Sequence, residues 1–204
     1  DIQGYRAYLA SRIQIWELQA LTRINQAAGS ESFFTQFTDA VTGRISEVKR
    51  ASLQKDIKEM RNRLVTSSSL GFSLKKNKGT ITDCEFAAQY LLLSHTGLFN
   101  LLKGKSYHGI IESLKIAEDI FREIQSEIIN SDDLLNLYSA FSFFKEAEMA
   151  QEVLFNISGS VVPNDSGKRE KLSAFIKIQN VQELNRLITA HTKTVSDIFT
   201  KVFG

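Results

Sequence analysis

The chain has one proline, one cysteine and eleven glycines in 204 residues, and each scarcity removes an architecture. Proline and glycine interrupt helices, so the long intervals without them, rich in leucine, isoleucine, lysine, glutamate and glutamine, favour helix over sheet. A single cysteine, Cys84, excludes an intramolecular disulfide. No apolar run approaches the roughly eighteen residues of a membrane span, and no charged segment with an apolar core stands at the start as in a signal peptide. Histidine is scarce as well. His95, His108 and His191 lie far apart and form no pair that would set two ligands on one helical face, so no metal and no cofactor are expected.

What is present is ordinary in amount and uneven in placement. Hydrophobic residues make up 43% of the chain, a level that suits a compact fold. The net charge of +2 conceals a division: residues 43–78 carry ten Lys/Arg against three Asp/Glu, and residues 110–155 carry three against ten. The basic part sits on EVKRASLQKDIKEMRNRL, where Val48, Leu53, Ile57, Met60 and Leu64 form an apolar stripe. It therefore reads as a solvated helix face over 44–63 rather than a nucleic-acid surface. The chain starts at Asp1 without a methionine, with helical patterns running to both ends, and is read as a piece of a larger protein.

Periodicity predicts an all-α antiparallel bundle of six or seven helices in a single domain over 1–204, with a division into two packed sub-bundles near 66–83. A first helix is expected over 2–27, burying Ile13, Trp16, Leu18, Leu21 and Ile24. A second helix or broken pair is expected over 31–65, with Gly43 as the weak point. TSSSLGFSLKKNKGTITD, residues 66–83, is the longest turn-rich stretch, and Thr82 or Asp83 is the expected cap of the third helix. A fourth helix should span about 106–130. The stretch YSAFSFFKEAEMAQEVLFNI then places Phe143, Ala147, Ala150, Leu154 and Ile157 on one face. KREKLSAFIKIQNVQELNRLITAHTKTVSDIFTKVFG supplies one long or two shorter final helices.

Catalytic patterns are weak. SGKRE lacks the spacing of a phosphate-binding loop, since Gly159 is misplaced and Arg169 stands where Ser or Thr should be. Carboxylate pairs such as Glu146/Glu148 and Glu148/Glu152 read as solvated helix surface. Cys84 at a helix start has no identifiable base and reads as inert. The expectation is a protein that is not an enzyme.

Lys145, Glu146, Ala147, Glu148 and Glu152, led by Tyr138, resemble the K-E-x-A-G-x-E-R-A motif of the nitrate- and nitrite-sensing domain of bacterial receptors. Phe175 and Gln179 in KLSAFIKIQNVQELNRL, and Leu18 and Gln19 in the first helix, extend the likeness. The resemblance implies a helical ligand sensor of a signal-transduction protein, with an anion held by one arginine from each motif. Thr22 occupies the first arginine's place, with Arg23 shifted by one, and Glu152 occupies the second. Thr22, Arg23, Lys145 and Glu152 are thus the expected ligand-binding residues. A carboxylate about 4 Å from an anion at an effective dielectric of about 20 costs roughly 4 kcal/mol, so the ligand is expected to be neutral or cationic rather than nitrate. The residues leave the compartment unknown; the resemblance favours an extracytoplasmic, periplasmic setting over a cytoplasmic one, with membrane attachment only through segments outside this chain. A homodimer through the terminal helices is expected, and no nucleic acid. The alternative is a helical protein–protein interaction domain without a small-molecule ligand, docking through phenylalanines such as Phe33 and Phe141 or through the basic 44–63 face.

Overall fold

The computed structural model describes residues 1–65, 71–95, 97–99, 128–156 and 160–204. The expected helix near 106–130, with Ile110, Leu114, Ala117, Phe121 and Ile124, lies almost wholly outside these residues, as do Leu101, His108 and Ile157. The described residues include eight helices with described bounds: α1 (Ile2–Ser11), α2 (Ile15–Leu21), α3 (Glu31–Glu47), α4 (Arg50–Leu64), α5 (Ile81–Ser94), α6 (Ser131–Phe155), α7 (Ser166–Phe175) and α8 (Val181–Phe203). This is the all-α bundle that the composition implies. A lone antiparallel bridge between Ser73 and Val161 is the one β-type pairing among the described residues.

The expected first helix is divided, and the second region forms the broken pair, each for local reasons. At 12–14 the chain leaves α1 through Arg12, and Gln14 in extended conformation restarts it as α2. The Gln14 backbone N donates to Glu17 Oε2 (2.8 Å), closing the first turn of the new helix. The redirected helix buries Leu18 and Gln19 but leaves Trp16, expected in the core, 59% exposed. The second division falls at Val48 and Lys49, both extended, rather than at Gly43, which lies inside α3 with open space beside it.

The core is organised around α5. Twelve of its fourteen residues are buried, as a helix apolar on nearly every side requires. It packs against α2, α4, α6 and α8. Its side chains meet those neighbours: Gln89 accepts from the Gln19 amide of α2, and the Tyr90 ring packs on Phe203 of α8 with centroids 5.1 Å apart. α1 packs on α3, where Tyr5 stacks on Phe37 at 4.7 Å.

α6 opens with Asn130 as its cap, the Oδ1 accepting from Asp133 N (2.9 Å) while Asp133 accepts back from Asn130 N. Its buried face runs through Leu134, Leu137, Ala140, Phe144, Ala147 and Ala150, so Ala147 and Ala150 of the expected stripe are buried while Phe144 takes the place of Phe143 and Leu154 is half-buried. Phe143 is half-buried and lies 4.8 Å from the His191 ring of α8. α8 buries Leu184, Ile188, Val195, Ile198, Val202 and Phe203, a regular amphipathic face. Its terminal carbonyls are held by α4, with Gln54 Nε2 donating to Val202 O (2.7 Å) and Lys58 Nζ to Phe203 O (2.6 Å).

Candidate functional site

The basic helix α4 is not solvated throughout. Arg61 has a side chain 1% exposed and pairs through Nε with Asp83 of α5, itself 5% exposed. Asp83 is therefore no simple helix cap; Thr80 is the N-cap residue. The Asp83 Oδ2 accepts from the Gly79 backbone N, and Arg61 Nη2 donates to Asn77 O (3.0 Å). The buried pair thus clamps the segment Gly71–Thr80, GFSLKKNKGT, onto α4 and α5.

That segment is fixed from within as well. Asn77 Oδ1 accepts from Ser73 N (2.9 Å), Thr80 Oγ1 donates to Asn77 O (2.6 Å), and Leu74 is fully buried. Gly79 adopts φ +72°, and a Cβ there would lie 2.2 Å from Thr192 O and 2.4 Å from Ser196 Oγ. Only glycine combines that conformation with so close an approach to α8. On its other side the segment pairs with 160–162: Leu74 N donates to Ser160 O (2.7 Å) and Val162 N to Phe72 O (2.8 Å).

Between this paired segment, α7 and α8 lies a cavity of about 550 Å³. Phe72, Val162 and Ile188 give it an apolar side, and Arg169, Asn185, Thr189, Thr192 and Lys193 a polar one. Arg169 is held by two bonds, Nε to Pro163 O (2.6 Å) and Nη1 to Asn185 Oδ1 (2.9 Å). Lys193 pairs with the exposed Asp197 at 2.6 Å. Thr192 Oγ1 is out of contact with solvent and has no hydrogen-bond partner among the described residues. The arrangement can hold a molecule with one apolar and one anionic end.

The residues singled out from sequence are placed elsewhere, and the side chains of Thr22, Arg23 and Lys145 are engaged by other protein groups. Thr22 donates its hydroxyl to Gln19 O (2.6 Å) at the end of α2, and Arg23 pairs with Glu85 of α5 at 3.2 Å. Lys145 pairs with Glu148 on its own helix. Glu152 is exposed, and its backbone carbonyl accepts from Asn156 N (3.0 Å). None of the four lines the cavity. Burial, followed by the charges of Asp83 and Glu85, pushes the Cys84 thiol well above its ordinary pKa, the opposite of an activated nucleophile. Burial lowers the pKa of His95 and of His191, with Arg50 and Arg186 respectively adding to the effect. Among the described residues no group of His, Cys, Asp and Glu could hold a metal ion.

Fold and cavity define an all-α helical protein with a preorganised amphipathic pocket. The chain's relatives are more particular. It is 30% identical, over 169 residues and 76% of its length, to the bifunctional glutamine synthetase adenylyltransferase/adenylyl-removing enzyme of Pasteurella multocida, covering 17% of that protein. To the enzyme of the same name from Bartonella quintana it is 24% identical over 99% of its length, covering 20%. To that from Chromobacterium violaceum it is 34% identical over 58% of its length, covering 13%. The chain thus spans a fifth or less of the curated relatives it matches. No protein-family model matches it.

These similarities overturn the resemblance to nitrate- and nitrite-sensing domains and, with it, the reading as a sensor of a signal-transduction protein. The expectation of a protein that is not an enzyme is corrected as well, since the relatives bear the names of enzymes. The motif misled because Lys, Glu and Ala at helical spacing recur on any exposed helix face: Lys145 and Glu148 form a common i, i+3 pair. No described helix is long and apolar enough to cross a membrane. The preference for an extracytoplasmic setting rested on the sensor resemblance and loses its support with it.

Proposed function

We propose that this chain is a helical region of an enzyme that transfers adenylyl groups to and from glutamine synthetase, and that it works there as an interaction domain. The observation that carries the reading is the 30% identity across 76% of the chain to an enzyme of that name. The matched region is a small part of the relatives, which leaves most of such a polypeptide available to pack against these helices. Exposed apolar side chains give such packing a surface: Met149 is 55% and Val153 65% exposed, one turn apart on α6. Under this reading the protein acts wherever its glutamine synthetase resides.

The test is to express the complete reading frame that contains this sequence and follow labelled adenylyl transfer onto glutamine synthetase, and its removal. Both activities are expected. Replacing Met149 and Val153 together with glutamate should lower them while leaving the isolated 204-residue chain folded by circular dichroism. A folded full-length protein with neither activity would overturn the enzyme reading. Unchanged activities in the double variant would overturn the role of that face.

A further inference from the structure

We propose that the cavity between the 71–80 segment, α7 and α8 binds a small amphipathic anion, a carboxylate or phosphate carried on an apolar body. This inference goes beyond the adenylyl-transfer reading and does not depend on it. At about 550 Å³ the space falls within the range of small-molecule sites. Phe72, Val162 and Ile188 offer the body an apolar wall, and Val162 and Ile188 are themselves buried, so the wall is firm.

The anionic end belongs at Arg169. A guanidinium has five N–H donors, and here two bonds to neutral acceptors, Pro163 O and Asn185 Oδ1, fix its plane. No carboxylate of the described residues pairs with it, and no acidic side chain lines the cavity. A positioned cation with donors to spare is the arrangement that recognises a planar or tetrahedral oxyanion. Thr192 also lines the cavity, beside Asn185 and Thr189. Lys193 at the rim is tied to Asp197 and contributes less.

The experiment is calorimetric titration of the full 204-residue chain with phenylbutyrate, phenyl phosphate and the uncharged phenylbutanol, with amide chemical shifts mapping the contact. Saturable binding of an anionic probe is expected, with shifts at Phe72, Arg169 and Thr192; whichever anion binds more tightly identifies the preferred head group. Arg169→Gln should weaken that binding by at least about tenfold, and Arg169→Lys by less. Because Arg169 also holds Pro163 and Asn185, Thr189→Trp serves as a second variant. Thr189 is exposed at the cavity wall, so the indole should fill the entrance and abolish binding without unfolding the chain. The proposal is overturned by the absence of saturable binding at millimolar probe, by phenylbutanol binding as tightly as phenylbutyrate, or by binding that survives Thr189→Trp.

Discussion

Replacing Arg61 with methionine tests the central electrostatic claim, that α4, α5 and the 71–80 segment are held together by one buried ion pair. The side chains of Arg61 and Asp83 are 1% and 5% exposed, so solvent cannot take over when one partner is lost. Breaking a buried pair costs about 3–5 kcal/mol, mostly because the remaining charge is left without compensation. Asp83 would keep the hydrogen bond from Gly79 N, which places Arg61→Met near the lower end, about 3 kcal/mol. Asp83→Asn leaves Arg61 charged with Asn77 O as its neutral partner, and the loss should again be about 3 kcal/mol. The double variant buries no charge. Its loss should fall short of the sum of the two by about 2 kcal/mol, the coupling expected of groups in direct contact. Urea denaturation followed by far-ultraviolet circular dichroism measures all three. In a thermal scan each single variant should melt about 6–12 °C lower, at the usual conversion for a chain of this size. A loss below about 1 kcal/mol for Arg61→Met, or strict additivity in the double variant, would refute the reasoning. The exposed pair of Lys55 and Glu59, 3.9 Å apart, is the control, and Lys55→Gln should leave the denaturation midpoint where it is.

Gly79→Ala should destabilise the protein by about 2–5 kcal/mol, combining the left-handed conformation with overpacking; a Cβ at 2.2 Å from a helix carbonyl has no room to relax, and a wild-type melting temperature would contradict that geometry. Acidification should weaken the fold through His191. Its folded pKa lies below the ordinary 6.5 because of burial and then Arg186, so the unfolded chain takes up the proton first. Stability is fully present above about pH 6.5 and is lost as the pH falls from there to the folded pKa, below which the loss stops growing. His95 is shifted the same way, by burial and Arg50, so His191→Phe should reduce, not abolish, the difference between melts at about pH 8 and pH 5.5. An undiminished difference would remove His191 from the account.

How much was legible in sequence differs from residue to residue. The helical class followed from the scarcity of proline and glycine, and the final segment, expected as one long or two shorter helices, forms two, α7 and α8. The breaks at 12–14 and 48–49 were not legible, because neither contains glycine or proline; a reciprocal turn at Gln14 and Glu17 makes one of them. Asp83 carried a signal that was read too locally. A carboxylate within ITDCEFAAQYLLL, a run buried nearly throughout, calls for a buried cation, yet nothing local identifies Arg61, 22 positions earlier, as that cation. Arg169 stood out only as a residue that spoils a phosphate loop. Its place on a cavity wall depends on Pro163 and Asn185, which chain spacing does not bring together.

The sequence by itself determined the all-α class, the helical character of the final segment and the absence of an intramolecular disulfide, since these depend on composition and on periods of a few residues. Tertiary structure alone decided that Arg61 is buried and Trp16 exposed, that Gly79 is pressed against α8, and that Phe72, Arg169 and Thr192 share a cavity. The physical reason is range. Helix formation is governed by neighbours within about four positions, whereas burial and pairing depend on contacts between segments far apart in the chain, where Arg, Trp and Thr on a helix face look alike until another element covers them.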